Sequence, residues 1–362
     1  MNLRNKLLEK GIDTFKWASF HHTFTPRVIE VETTKACNLR CPGCRRNYKE
    51  GCIASEPGEK HLTTDNLWRI LATTNCSLLR FEGDGEPLCN PHFKELVAFL
   101  NKFGIRSMMT SNGTLLDESW IKFLEENGMI RIHVSFDGTT KDIYEKVKVG
   151  GDFDKTLYNC KLVGRSKIQL FMSIVLFNDQ LVEELPKYIE QAKSVDATGI
   201  HFMKMQRDTL EFGAPPHIDN STIENFKKLG KKAGLVMVGS SSDTPTFKRC
   251  YDPFINPFVL LNNDVYACTY MANLRRSEVY MDKVFPVPYQ NYKMGNLQEN
   301  WMNDIWKNNK YKELRKFLSD TKVPNGWVVE PEELLRVKTE SIDGGGFSFC
   351  ASCLCQWGES GL

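Results

Sequence analysis

From Arg27 to Met205, short β-rich runs alternate with amphipathic stretches six times, and this alternation restricts the fold more than any other feature. The strand candidates are RVIEVE at 27–32, LLRFE at 78–82, IRSMMT at 105–110, IRIHVSF at 130–136, IQLFMSIVL at 168–176 and GIHFMKM at 199–205. Each is rich in branched or aromatic residues, which suit a pleated, packed surface. The segments between them carry helix signals. Asn90 and Pro91 open a helix that stops at Gly104, and Asp117 caps one that ends near Gly128. Strands alternating with helices predict an α/β fold with a parallel sheet, here a partial (β/α)6 TIM-like barrel over 27–215.

The regularity fails after Met205. The stretches FGAPP at 212–216 and GSSSDTP at 239–245 bracket a single helix, STIENFKKLGKKAG, so 216–246 reads as a linker with a helix. From 247 to 362 the chain reads as a smaller C-terminal domain. Its parts are a hairpin turning at Asn262 to Asp264, a helix near Glu299 to Phe317, and a GGG run before a cysteine cluster. Residues 1–26 form an N-terminal extension.

Composition narrows the function by exclusion. The 47 basic and 45 acidic residues leave a formal charge of +2 without long like-charge blocks, so neither a nucleic-acid partner nor a membrane surface is indicated. The N-terminal stretch lacks the apolar run of a secretory signal, and no segment reaches the roughly 18 apolar residues of a membrane span. A cytoplasmic location is the expectation. In that compartment twelve cysteines point to metal binding or thiol chemistry rather than disulfides.

Cys37, Cys41 and Cys44 follow the first strand in ETTKACNLRCPGC, placing three thiols on one loop at a strand's C-terminal end. A loop offering three thiolates to an iron-sulfur cube leaves one iron without a protein ligand, open to a cofactor or substrate. From spacing alone, a zinc site completed by a distant residue or a structural cluster also fits.

The C-x3-C-x2-C spacing after the first strand of a six-unit βα chain resembles the radical S-adenosylmethionine superfamily. The resemblance implies an open iron chelated by the methionine moiety of S-adenosylmethionine, and reductive cleavage to a 5′-deoxyadenosyl radical that abstracts a substrate hydrogen. Gly43 departs from the common pattern, where an aromatic residue precedes the third cysteine. FEGDGEPL resembles the family's Gly-Gly-Glu-Pro motif, with Asp84 replacing a glycine; it implies that Gly83, Gly85 and Glu86 line the cofactor site. TSNG and SFDG end the third and fourth strands, so Ser111, Asn112, Ser135 and Asp137 are expected to face the same cofactor. In βα barrels the reactive groups gather at the strands' C-terminal ends, which places all four motifs on one rim.

The tail strengthens the resemblance. CYDPF, a hairpin ending in Cys268, MGNLQENWMNDIWKN and terminal FCASCLC follow in the order of the auxiliary-cluster domain called SPASM, or its shorter twitch form. The resemblance implies one auxiliary four-iron cluster held by Cys250, Cys268, Cys350 and Cys353, with Cys355 as the alternative fourth ligand. A zinc knuckle is the bland alternative. An auxiliary cluster fully ligated by protein accepts an electron rather than a ligand, so the net reaction is expected to be an oxidation.

Cys52, Cys76, Cys89, Cys160 and Cys355 are left outside the ligand sets, and free cysteines commonly pack as small apolar residues. Cys89, after the GDGEP loop, is the candidate hydrogen-atom donor to a substrate radical. Arg45, Arg46, His21, His22 and His133 read as solvated polar residues, and the apolar positions of 91–103 and 301–317 read as core. The resemblance leaves two substrate classes: a small carbohydrate-like or natural-product molecule, or a ribosomal peptide to be crosslinked, epimerised or oxidised. The single auxiliary cluster and the short 1–26 segment lean toward the small molecule. The expected redox partner is a donor such as flavodoxin or ferredoxin. A non-catalytic zinc or iron-sulfur redox or binding protein is the competing class.

Overall fold

A computed structural model describes residues 25–44, 46, 58, 60–204, 216, 218–239, 252–274 and 293–320. Its frame is one ten-stranded sheet in the order β10-β9-β8-β1-β2-β3-β4-β5-β6-β7. The first six strands are β1 (Val28–Glu32), β2 (Leu78–Glu82), β3 (Arg106–Ser111), β4 (Met129–Ser135), β5 (Gln169–Leu176) and β6 (Gly199–Lys204). They pair parallel in sequence order. Between them run α1 (Thr64–Leu71), α2 (Phe93–Lys102), α3 (Glu118–Glu126), α4 (Lys141–Val147), α5 (Phe153–Gly164), α6 (Asp179–Glu183) and α7 (Leu185–Ser194).

Local chemistry sets these elements. Thr63, Asp117, Thr140, Asp152 and Asn178 each accept a backbone N–H at the start of a helix, replacing a bond the helix cannot make itself. Gly104 and Gly128 follow α2 and α3 with φ of 69° and 80°, a left-handed turn that glycine makes without strain.

The presumed linker is part of the sheet. Helix α8 (Asn220–Lys232) leads to β7 (Val236–Val238), which pairs parallel with β6 as a seventh unit. The C-terminal region is joined to the same sheet at its other edge. Strand β8 (Phe258–Val259) pairs parallel with β1, and β9 (Asp264–Tyr266) and β10 (Lys293–Asn296) continue as an antiparallel meander. Asn263, at φ 68°, makes the β8–β9 turn. Helices α9 (Asp252–Ile255) and α10 (Thr269–Leu274) flank that hairpin. The expected helix from 299 to 317 is two helices, α11 (Met302–Lys307) and α12 (Asn309–Asp320). They break at Asn308, whose side chain donates to the Met294 carbonyl and accepts from Tyr311 N–H.

The order of β1 to β7 never reverses, so right-handed crossovers place their helices on one face. Ile29, Val31, Leu79, Phe81, Ile132, Val134, Leu170, Met172, Ile200 and Phe202 face those helices and are buried in one apolar core. The other face is the inner face of the partial barrel, and its chemistry is different. Glu30, Glu32, Arg80, Glu82, Thr110, Arg131, His133, Ser135, Ser173 and His201 occupy the alternate strand positions. Parallel strands buried on both faces normally read as continuous apolar runs. Polar inner positions indicate a chamber. Among the described residues no helix is long and apolar enough to cross a membrane.

Candidate active site

The cysteine loop leaves β1 at Thr33 and is tied down at several points. Thr34 Oγ1 donates to the Lys60 carbonyl at 3.1 Å and accepts Ala36 N–H at 3.0 Å. The Arg46 Nε–H donates to the Lys35 carbonyl at 2.7 Å, so Arg46 braces the loop instead of standing free in solvent. Arg40 N–H reaches the Val149 carbonyl beyond α4 at 2.9 Å. Glu86 N–H donates to the Ala36 carbonyl at 2.8 Å, bringing the GDGEP loop against the cysteine loop. Only glycine fits at that contact: a Cβ on Gly85 would lie 2.2 Å from the Thr34 oxygen and 2.6 Å from that of Ala36. Gly83, at φ 113°, turns the chain out of β2.

Cys37, Cys41 and Cys44 are free thiols, each partly exposed. Two donors point at Cys37: Leu39 N–H at 3.5 Å and the Asn112 amide at 3.8 Å from Sγ. Burial raises the Cys41 thiol, opposed by the Lys148 ammonium. Burial, aided by the Asp84 charge, pushes Cys44 up to about 11. Thiolates on this loop therefore need a positive centre to stabilise them, as an iron-sulfur cluster provides. Among the described residues no three His, Cys, Asp or Glu side chains are grouped as a single metal ion requires.

Glu86 is the hub of the rim. Its buried carboxylate accepts Ser111 Oγ–H at 2.7 Å, Asn112 N–H at 2.6 Å and Leu88 N–H at 3.3 Å. Asn112 in turn donates to Asn38 Oδ1 at 2.9 Å, and Thr114 donates to Asn112 Oδ1 at 2.7 Å. Glu86, Ser111 and Asn112 thus converge beside Cys37, bonded to one another. Asp137 accepts Val175 N–H at 2.7 Å and pairs with Lys148 at 2.6 Å. Burial pulls the Lys148 ammonium down, but Asp137 and the Cys41 thiol outweigh it and leave it raised. Ser135 lies in register with Ser173 at the end of β4.

Cys89 lies against the cysteine loop, its thiol 3.9 Å from Asn38 Oδ1 and pushed up to about 11 by burial and the neighbouring Glu86. Cys76 and Cys160 are buried. In the tail, Cys268 is buried after β9 and its Sγ accepts Met271 N–H at 3.4 Å. Cys52, Cys250, Cys350, Cys353, Cys355, Arg45, His21 and His22 lie outside the described residues.

Some residues escaped the sequence reading. Lys148 lies just past α4 and looks like an ordinary helix-end cation. His133, read as solvated, lines the inner face with His201, 5.7 Å away. The available signal was the alternation of polar and apolar residues in IEVE, LRFE and IRIHVS.

A model of the radical SAM superfamily matches residues 31–192, and one of the SPASM iron-sulfur cluster-binding domain matches residues 250–325. The chain belongs to the radical SAM superfamily and carries a C-terminal SPASM domain.

As a radical SAM enzyme it binds S-adenosylmethionine and a 4Fe-4S cluster, and its SPASM domain binds auxiliary iron-sulfur clusters. Among radical SAM relatives, it is 25% identical over 320 residues to an AdoMet-dependent heme synthase of Methanosarcina barkeri, covering 79% of this chain and 83% of that one. It is also 25% identical over 300 residues to a cysteine-type anaerobic sulfatase-maturating enzyme of Clostridium novyi, covering 75% and 77%. The fold resembles that of Streptococcus suis SuiB bound to S-adenosylmethionine, with a TM-score of 0.60 at 14% identity, covering 88% of this chain and 74% of SuiB.

Proposed function

We propose that this radical SAM enzyme is an oxidoreductase that forms a substrate radical and removes a further electron and a proton from it. The carrying observation is the convergence of Cys37, Glu86, Ser111 and Asn112 at the mouth of a polar inner face. When bound, the open-iron cluster and S-adenosylmethionine supply a 5′-deoxyadenosyl radical that takes a hydrogen atom from the substrate. Cys37, Cys41 and Cys44 hold that cluster, with Leu39 N–H and the Asn112 amide as donors to a ligand sulfur. Gly83, Gly85 and Glu86 shape the cofactor's floor. Ser111, Asn112, Ser135 and Asp137 orient its polar groups, and Lys148 offers the cation for its carboxylate.

Glu82 takes the proton. It is the last residue of β2, next to the cofactor loop, and its carboxylate pairs with Arg80 at 3.2 Å. Burial raises it, opposed by Arg80, which makes it a stronger proton acceptor than an exposed carboxylate. Cys250, Cys268, Cys350 and Cys353, or Cys355 in place of Cys353, would hold one auxiliary cluster, which would supply an acceptor for the electron. A small hydroxylated molecule is the favoured substrate and a flavodoxin or ferredoxin of the cytoplasm the electron donor. A peptide substrate is the second reading, supported by the likeness to the sulfatase-maturating enzyme.

Anaerobic reconstitution tests the assignment of Cys268. The parent should hold about eight irons, as two cubes require. Cys268→Ala should keep about four and still release 5′-deoxyadenosine. A variant with the parent's full iron would remove Cys268 from the ligand set.

A further inference from the structure

The inner face has two walls of different charge. On β1 and β2, Arg80 is flanked by two carboxylates: it pairs with Glu30 and, at 3.2 Å, with Glu82. On β4 to β6 no such balance is present. The Arg131 guanidinium lies over the Phe171 ring at 4.5 Å, and its Nε and Nη2 donate to the Gln169 amide oxygen at 3.0 and 2.8 Å. That acceptor is neutral, and among the described residues no carboxylate lies within ion-pair distance of Arg131. His133 stacks on Phe171 at 5.1 Å, meets His201 edge-on at 5.7 Å, and has Ser173 Oγ 3.5 Å from Nδ1. His201 Nε2 is enclosed without a hydrogen-bond partner.

We propose that this wall, formed by Arg131, His133, Ser173 and His201, binds an oxyanion group of the substrate, a carboxylate or a phosphate. The inference rests on the inner face being the substrate chamber. An uncompensated guanidinium supplies the fixed charge, and the imidazole and hydroxyl groups supply directional hydrogen bonds. The orphaned His201 nitrogen gains a partner when the anion enters. Without an anion, burial above all, with Arg80 and Arg131 acting on His133 and Arg80 on His201, keeps both rings neutral at pH 7. A negative group offsets the cations' share of that bias, so binding raises both rings and is coupled to proton uptake at mildly acidic pH.

Calorimetry on reconstituted holoenzyme saturated with S-adenosylmethionine tests the site, with inorganic phosphate and acetate titrated in separate arms. Measurements in two buffers of different ionisation enthalpy give the proton uptake. One of the anions should saturate, with more proton uptake in mildly acidic buffer than at pH 7, and which one does so identifies the group carried by the substrate. Arg131→Gln should weaken it by roughly tenfold or more, and His201→Gln should reduce the uptake. No saturable binding of either anion would overturn the proposal. Binding indifferent to Arg131→Gln and free of proton uptake would overturn it equally. Formation of 5′-deoxyadenosine by the same parent preparation keeps a failure of this site separate from a failure of the radical reading.

Discussion

Glu86 shows how much one side chain organises. Burial raises its carboxyl on balance, opposed by N–H and O–H donors from Asn112, Ser111 and Leu88. Replacing Glu86 by Gln turns one acceptor into a donor and leaves a buried N–H or O–H facing another donor. A loss of about 1–3 kcal/mol is expected, the cost of an unsatisfied buried group. A lowered urea midpoint with an unchanged slope would show it. Glu86 was legible as a rim residue from the GDGEP string, yet its bonds to Ser111 and Asn112 were not. Those contacts depend on how far β2 and β3 are staggered, which a local motif does not encode. Lys148 was hidden for a related reason. A cation near a helix C-terminus complements the helix dipole whether or not a carboxylate and a thiol stand beside it.

At the scale of elements, the six predicted strands reappear with ends shifted by at most a residue, because branched and aromatic runs bounded by glycines and caps define them locally. The seventh strand was missed because Val236–Val238 is three residues long, at the sheet's edge and partly exposed, too short for an alternation to register. The fusion of the tail hairpin to β1 was equally invisible, since it rests on long-range bonds such as Leu261 N–H to Glu32 at 3.1 Å and Thr269 to Glu30. One element contact gives a sharp prediction. Gly85→Ala places a methyl group against the backbone carbonyls of Thr34 and Ala36, so the cysteine loop must move away. The expected outcome is a destabilisation of about 1–3 kcal/mol, typical of overpacking, with far-UV circular dichroism retained and iron at the first site lost. Full iron loading would show that the close approach is not needed.

For the whole molecule, the polar inner face carries a stability cost that pH exposes. Burial, with neighbouring cations, lowers His133 to about 3 and His201 to about 4. Their unfolded values are higher, so the unfolded chain binds more protons in this range and stability falls as pH drops below about 6.5 toward the folded values. Between pH 7 and 5 each ring should cost about 2 kcal/mol. Denaturant titrations of the parent and of His133→Phe should show a shallower pH slope in the variant. Equal slopes would place the ring in water.

The central claim, that the rim of Cys37, Cys41, Cys44 and Glu86 serves radical cleavage of S-adenosylmethionine, is tested most directly by product analysis. Anaerobically reconstituted protein, supplied with S-adenosylmethionine and a strong reductant, should release 5′-deoxyadenosine and methionine, and Cys37→Ala should release neither. Parent protein that binds iron yet forms no 5′-deoxyadenosine, or a Cys37→Ala variant that forms as much as the parent, would contradict the account.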